Sequence, residues 1–226
     1  MTIPIGKAKS GVLRLDLDRR LTLQFLGSAA TLIVSIVKTT ARSEELEGDE
    51  MGQKYELVTT DTRMVRGATL NRIRRKSDGL LGGYVETEAN LSQSGTCWLH
   101  GQSTALGNAS TAQGNARVSE NAQVHGEVYG DAIVSGNATV QGSVYGDAIV
   151  SGNATVQGSV FDQASVSGNA KIAGRAYGHA IIRGDAQVNG EAFGSAIVEG
   201  AARVNGRVYG TAHLSGNEVV KGDRSS

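Results

Sequence analysis

The sequence predicts an all-β chain dominated by a parallel β-helix of seven 16-residue coils. Three observations carry this. The stretch Val128 to Ser143, VYGDAIVSGNATVQGS, recurs almost letter for letter as Val144 to Ser159 and in looser form to the C-terminus. There are 31 Gly against one Pro and 4% aromatic residues, and the Gly keeps a strict period, unlike a flexible linker. Within each unit small and β-branched residues alternate, as short strands require.

Residues 1–50 read as a poorly structured extension outside the fold. Leu21 to Val37 is free of charge and follows Arg19 and Arg20, in the manner of an export signal. Thr22, Gln24, Ser28, Thr31 and Ser35 dilute it, and the run sits at the lower limit for a membrane span, so no membrane association is expected. Leu13 to Thr31, LRLDLDRRLTLQFLGSAAT, resembles the N-terminal leader of a DDE-class insertion-sequence transposase. That likeness ends after Thr31 and brings none of the family's catalytic carboxylates, so it implies no transposase activity. Ser43 to Glu50, SEELEGDE, reads as an acidic linker.

Residues 51–111 read as a hairpin and N-terminal cap. Lys54 to Thr60 and Thr69 to Lys76 have strand character, with Asp61 to Gly67 as the loop. The second arm holds Arg72, Arg74, Arg75 and Lys76, with Arg63 and Arg66 nearby. Such a cluster can track phosphate, but no aromatic residues interleave it, and Lys and Arg on an exposed edge strand also block edge-to-edge pairing. Nucleic acid is therefore not an expected partner. Trp98 is the only tryptophan and stands where the repeats begin, suited to covering the open end of a coil stack. Cys97, the only cysteine, excludes an intramolecular disulfide and a multi-cysteine zinc site, fits a reducing cytoplasm, and reads as a small buried residue. No metal site is expected.

The junction carries a second resemblance. Lys54 to Leu57, Gly82 to Val85, Asn90 to Ser92 and the pair Cys97-Trp98, followed by the repeats, resemble a group of phage and gut-bacterial hexapeptide-repeat proteins, some of them acyltransferase-like. The likeness runs from Met51 to the C-terminus. It implies a left-handed helix, and it implies a fold more firmly than an activity.

Residues 112–223 divide without insertion into coils starting at Ala112, Val128, Val144, Val160, Ala176, Ala192 and Val208, leaving 224–226 as a tail. Gly-Asn and Gly-Asp mark corners, since Gly accepts positive φ and Asn tolerates it. Two interior ladders follow: Val134, Val150, Val166, Ile182, Val198 and Leu214; and Val140, Val156, Ile172, Val188, Val204 and Val220. Ala138, Ala154, Ala170 and Ala186 let the walls approach. Glu218 breaks the alanine ladder in the last coil, and charge there should stop the stack.

Two outward columns are apolar. One is Tyr129, Tyr145, Phe161, Tyr177, Phe193 and Tyr209; the other is Ile133, Ile149, Ser165, Ile181, Ile197 and His213. Contiguous columns of this kind exceed the scattered hydrophobes of an ordinary surface and point to a homo-oligomeric or protein-partner interface. A short third side could instead tuck the aromatics over its own core.

Zero formal net charge gives no general case for nucleic acid or anionic membrane. Acyl-CoA-dependent acyltransferases use this scaffold, and by that resemblance the chain could take acetyl-CoA or another acyl-CoA at an intersubunit site with a histidine base. His179 and His125 are the candidates. The unbroken period leaves no lid, so a non-catalytic interaction module without cofactor fits better. Binding to an ice or glycan lattice would need a regular polar row, and Lys171, Gln187 and Arg203 interrupt the one begun by Thr139 and Thr155.

Overall fold

The structure, a computed structural model, describes residues 13–15, 21–23, 52–107 and 114–226. The chain divides into two units, Met1–Met51 and Gly52–Ser226. In the first, β1 (Leu13–Leu15) pairs antiparallel with β2 (Leu21–Leu23). The signal-like run beyond Leu23 and the acidic Ser43–Glu50 stretch lie outside the described residues, as do residues 108–113, which include Ala112. Among the described residues no helix is long and apolar enough to cross a membrane.

The second unit is a parallel β-solenoid with three faces built of two-residue strands. Face I runs from Trp98–Leu99 through Arg117–Val118, Ile133–Val134 and their equivalents to His213–Leu214, eight strands in all. Face II begins with Thr104–Ala105 and Gln123–Val124 and ends with Val219–Val220. Face III has seven strands, from Glu127–Val128 to Asp223–Arg224. The solenoid therefore has about eight turns: Trp98–Leu99 pairs with Arg117–Val118, and Thr104–Ala105 with Gln123–Val124, placing one turn before the first regular coil. That turn departs from the 16-residue spacing, so the period does not mark it.

Neighbouring coils are joined by backbone bonds repeating one period apart. Ile133 N–H donates to Ala148 O at 2.9 Å, Thr139 N–H to Ala154 O at 2.9 Å and Tyr145 N–H to Val160 O at 3.0 Å. Both interior ladders are buried along their length, with Ala138, Ala154, Ala170 and Ala186 between them. Each buried valine contributes about 1.5–3 kcal/mol by leaving water.

The three corners use different chemistry. At one, Gly136 has φ 73° and is followed by Asn137; the Asn side chains form a ladder in which Asn137 donates to Asn153 at 3.0 Å and Asn153 to Asn169 at 3.0 Å. Glycine takes the left-handed conformation, and asparagine links the coils sideways. A second corner repeats the left-handed Gly at Gly130 and Gly146. The third corner, at Gly142, has no positive φ; there a Cβ would overlap the carbonyl oxygen of Gly158 in the next coil. That glycine answers to the distance between coils, which turn chemistry read from the sequence did not reveal.

The cap departs from the expected hairpin. β3 (Tyr55–Val65) continues through what reads as a loop and turns only at Arg66 and Gly67, with φ 50° and 86°, into β4 (Ala68–Arg75). Val58 pairs with Arg72 and Thr62 with Asn71, so Thr59 to Asp61 form a bulge. β5 (Leu81–Val85) pairs antiparallel with β4 and parallel with Thr104–Ala105, extending face II to eleven strands. Tyr55 and Ile73, below the bulge, close the end of the main core. Leu70, with Val65 and Ala68, instead packs on Tyr84 and Leu106 in a separate cluster. A bulge sharpens twist, which lets one hairpin serve both surfaces. Trp98 is buried under the cap, edge-on to Tyr55 at 6.3 Å and beneath the Arg75 guanidinium at 5.5 Å.

In the last coil side chains take some of the free backbone groups. Glu218 accepts from Ser215 N–H at 3.0 Å and pairs with Arg224 at 2.6 Å, while Thr211 N–H donates to Ser226 Oγ at 3.4 Å.

The close approach at the third corner is testable within one column, because a Cβ at Gly222, in the last coil, meets nothing. Gly142→Ala should lower stability by about 3 kcal/mol by overpacking against backbone. Gly222→Ala should change it by less than about 0.5 kcal/mol. Denaturation midpoints of the two variants check this.

Candidate functional site

Two-residue strands alternate one side chain in and one out, so each face carries an outer column whose members are one coil apart. On face I the column is Arg117, Ile133, Ile149, Ser165, Ile181, Ile197 and His213. Ile133, Ile149 and Ile181 are 38%, 43% and 39% exposed, the largest apolar side chains left open in the regular coils before the final one. Ile197 and Ser165 are half-buried. Beside this column run Ser119, Ser135, Ser151, Ser167, Arg183, Glu199 and Ser215. Glu199 accepts from Arg183 Nε at 2.6 Å and meets His213 Nε2 at 2.7 Å. These two bonds, His213 first, hold its carboxyl below the usual range.

The aromatic column lies between faces III and I. Rings from Tyr129 to Phe193 stack at 4.8–4.9 Å with planes 1° apart, and Phe193 stacks on Tyr209 at 5.1 Å and 9°. All six are half-buried. Each stacked pair contributes about 0.5–1.5 kcal/mol beyond its area. Ring faces are taken up within the column and edges remain outward, so the aromatics stiffen a corner as well as offering surface. Partial burial raises the Tyr145 phenol, helped by Tyr129 and Asp162, and raises that of Tyr177, helped by Glu191. Face III beside them is charged, with Arg175–Glu191 at 2.6 Å and Arg207–Asp223 at 2.5 Å.

The histidines are dispersed. His179 is exposed at a corner, and its backbone N–H donates to Gly194 O at 2.7 Å. His125 lies on face II in register beyond Gln123; desolvation and then Arg66 lower its pKa, which favours the neutral ring, and its Nε2 has no partner among the described residues. Neither ring is oriented by a carboxylate among those residues.

The basic cluster is engaged within the cap. Arg72 pairs with Asp61 at 3.2 Å, Arg74 with Glu56, and Arg75 with Asp78 at 2.5 Å, while Lys76 donates to Gln53 at 3.0 Å. β4 lies between β3 and β5, so these cations do not guard an exposed edge; β3 is the edge. Cys97 is buried, with Lys54 Nζ at 3.2 Å from its sulfur and 2.9 Å from its carbonyl oxygen.

One feature escaped the sequence reading. Beyond the bulge β3 overhangs face II, and Arg63, Met64 and Val65 face Gln102, Gln123 and Asn137 across a cavity of about 300 Å³. Arg63 Nη1 donates to Gln102 O at 3.2 Å. The signal available was Met64, an apolar residue inside an apparent loop.

Residues 134–145 and 148–162 match the family model of the YdcK beta solenoid repeat. The match covers a small part of the chain and shows a β-solenoid repeat, without an activity. No curated protein matches the chain.

The tyrosines offer a test by pH. Their raised folded-state pKa values mean that the unfolded chain ionises first, near 10.0, so the stability they hold at lower pH is lost as pH rises through that value towards the folded pKa. Melting temperature should fall above that pH, and a Tyr145→Phe, Tyr177→Phe variant should fall less steeply, with phenolate absorbance reporting the ionisation.

Proposed function

We propose that the chain is a non-catalytic interaction module, a rigid β-solenoid that associates with copies of itself through the face I column, with the stacked aromatics as a stiff border. The observation that supports this most is the column of isoleucines, three of them exposed, which forms an apolar strip along one face of the regular coils. Face III carries ion pairs, and the outer column of face II is polar from Gln123 to Arg203, so face I differs from both in kind. The dispersed histidines support interaction over acyl transfer, which needs a base fixed beside a substrate cleft.

Light scattering should find an oligomer. Ile149→Lys and Ile181→Lys, which put charge on the apolar strip, should each convert it to monomer with an unchanged β-sheet circular dichroism spectrum, whereas Thr155→Lys on face II should leave association intact. A wild-type chain that stays monomeric at about 200 μM, well above the micromolar Kd expected of a small interface, overturns the proposal.

A further inference from the structure

The outer column of face I reads the same in both directions. Around Ser165 stand Ile149 and Ile181, then Ile133 and Ile197, then Arg117 and His213, a basic side chain and an imidazole. Parallel pairing keeps every member in register, so steps away from Ser165 are equal on both sides, about 4.8 Å each. A two-fold axis lying in the face at Ser165 and perpendicular to the solenoid axis therefore superposes the column on its own reverse.

We infer that face I forms an isologous dimer in which two solenoids lie antiparallel, with Ser165 of each copy on the two-fold axis. This rests on the proposal that face I is the self-association surface, and adds its register and direction. Ile149 then meets Ile181 of the second copy and Ile133 meets Ile197 of the second copy, so the apolar strip closes on itself, as a two-fold interface requires.

The flanking column decides the direction. Such an axis keeps the flank on the same side in both copies, so Ser151 opposes Arg183 of the second copy and Ser135 opposes Glu199 of the second copy. Small hydroxyls face the two long charged side chains, which are already paired to each other at 2.5 Å. Bulk meets space twice over in each dimer. Arg117 meets His213 of the second copy, an imidazole held by the Glu199 carboxylate, and not a second arginine. The alternative, a two-fold axis along the solenoid, places every column member against itself and sets Arg117 against Arg117. Like charges directly opposed disfavour that arrangement.

Cysteine pairing reads the register directly, because the native Cys97 is buried. Under air oxidation Ser165→Cys should crosslink to a covalent dimer. Ile149→Cys alone should not, since its counterpart lies two coils away, but mixed with Ile181→Cys it should give the heterodimer. Thr155→Cys on face II is the control for random collision, and each reduced variant is checked for the wild-type melting temperature. A light-scattering dimer in which Ile149→Cys crosslinks to itself overturns the antiparallel register and leaves self-association through face I standing. A dimer in which none of the face I cysteines crosslinks overturns both, as does a wild-type monomer.

Discussion

Everything in the solenoid depends on one distance, the separation of neighbouring coils. Parallel strands hydrogen-bond only about 4.8 Å apart, and with two residues per strand there is no length over which an error could be absorbed. The spacing is held by bonds such as Ile133 N–H to Ala148 O, repeated on every face. The same spacing forbids a side chain at Gly142, stacks the aromatic rings, and lines up Asn137, Asn153 and Asn169 so that each amide reaches the next. A single constraint thus sets glycine columns, ring columns and amide ladders together, which is why the repeat tolerates substitution outside but keeps its length.

Much of this was legible in the sequence because a repeat writes its lattice into the order of residues. Both interior ladders, the outward aromatic and isoleucine columns and the charged closing coil follow from counting in sixteens; Val134 and Val140 point inward and Ile133 outward as counting gives them, while Tyr129 stands at the corner between faces III and I. The match to a β-solenoid repeat falls on residues where the period is most regular. What counting could not reach lies where the period fails. The turn through Trp98 and Thr104 has its own spacing, so only strand pairing reveals it. The overhang of β3 depends on a bulge at Thr59 to Asp61, and a bulge is a tertiary compromise between two surfaces, with no residue signature of its own. Gly142 resembles a turn glycine by letter and is a contact glycine by geometry.

The two ends solve one problem differently. A stack of parallel strands exposes unpaired backbone at each end, and left open it would continue into another chain. At the start, β5, β4 and β3 lengthen the face II sheet while Tyr55, Trp98 and Ile73 fill the end of the core, with the Tyr55 hydroxyl donating to Leu91 O at 2.8 Å. Removing that hydroxyl from water pushes its ionisation far above the usual tyrosine range. In the last described coil Glu218 and Ser226 take individual N–H groups instead. The first end spends chain length on a second small core; the second spends two polar side chains.

The sides of the solenoid are not equivalent. Face II is partly roofed by the cap, where Tyr84 and Thr104 point outward yet are buried. Face III is laced with ion pairs, and salt bridges at such exposure contribute little to stability, so their value there is in keeping the face hydrated. Face I has no roof, its outer column carries charge only at Arg117 and His213, and the Arg183–Glu199 pair lies in the flanking column. Hydrating an exposed isoleucine costs free energy, and a repeat that could place Thr or Gln at that position, as it does on face II, instead keeps Ile in four coils of seven. Folding of one chain does not require that choice, since Ser165 occupies the same position between unbroken neighbours. The residues that the coil does not need are therefore the ones on which the proposed self-association rests.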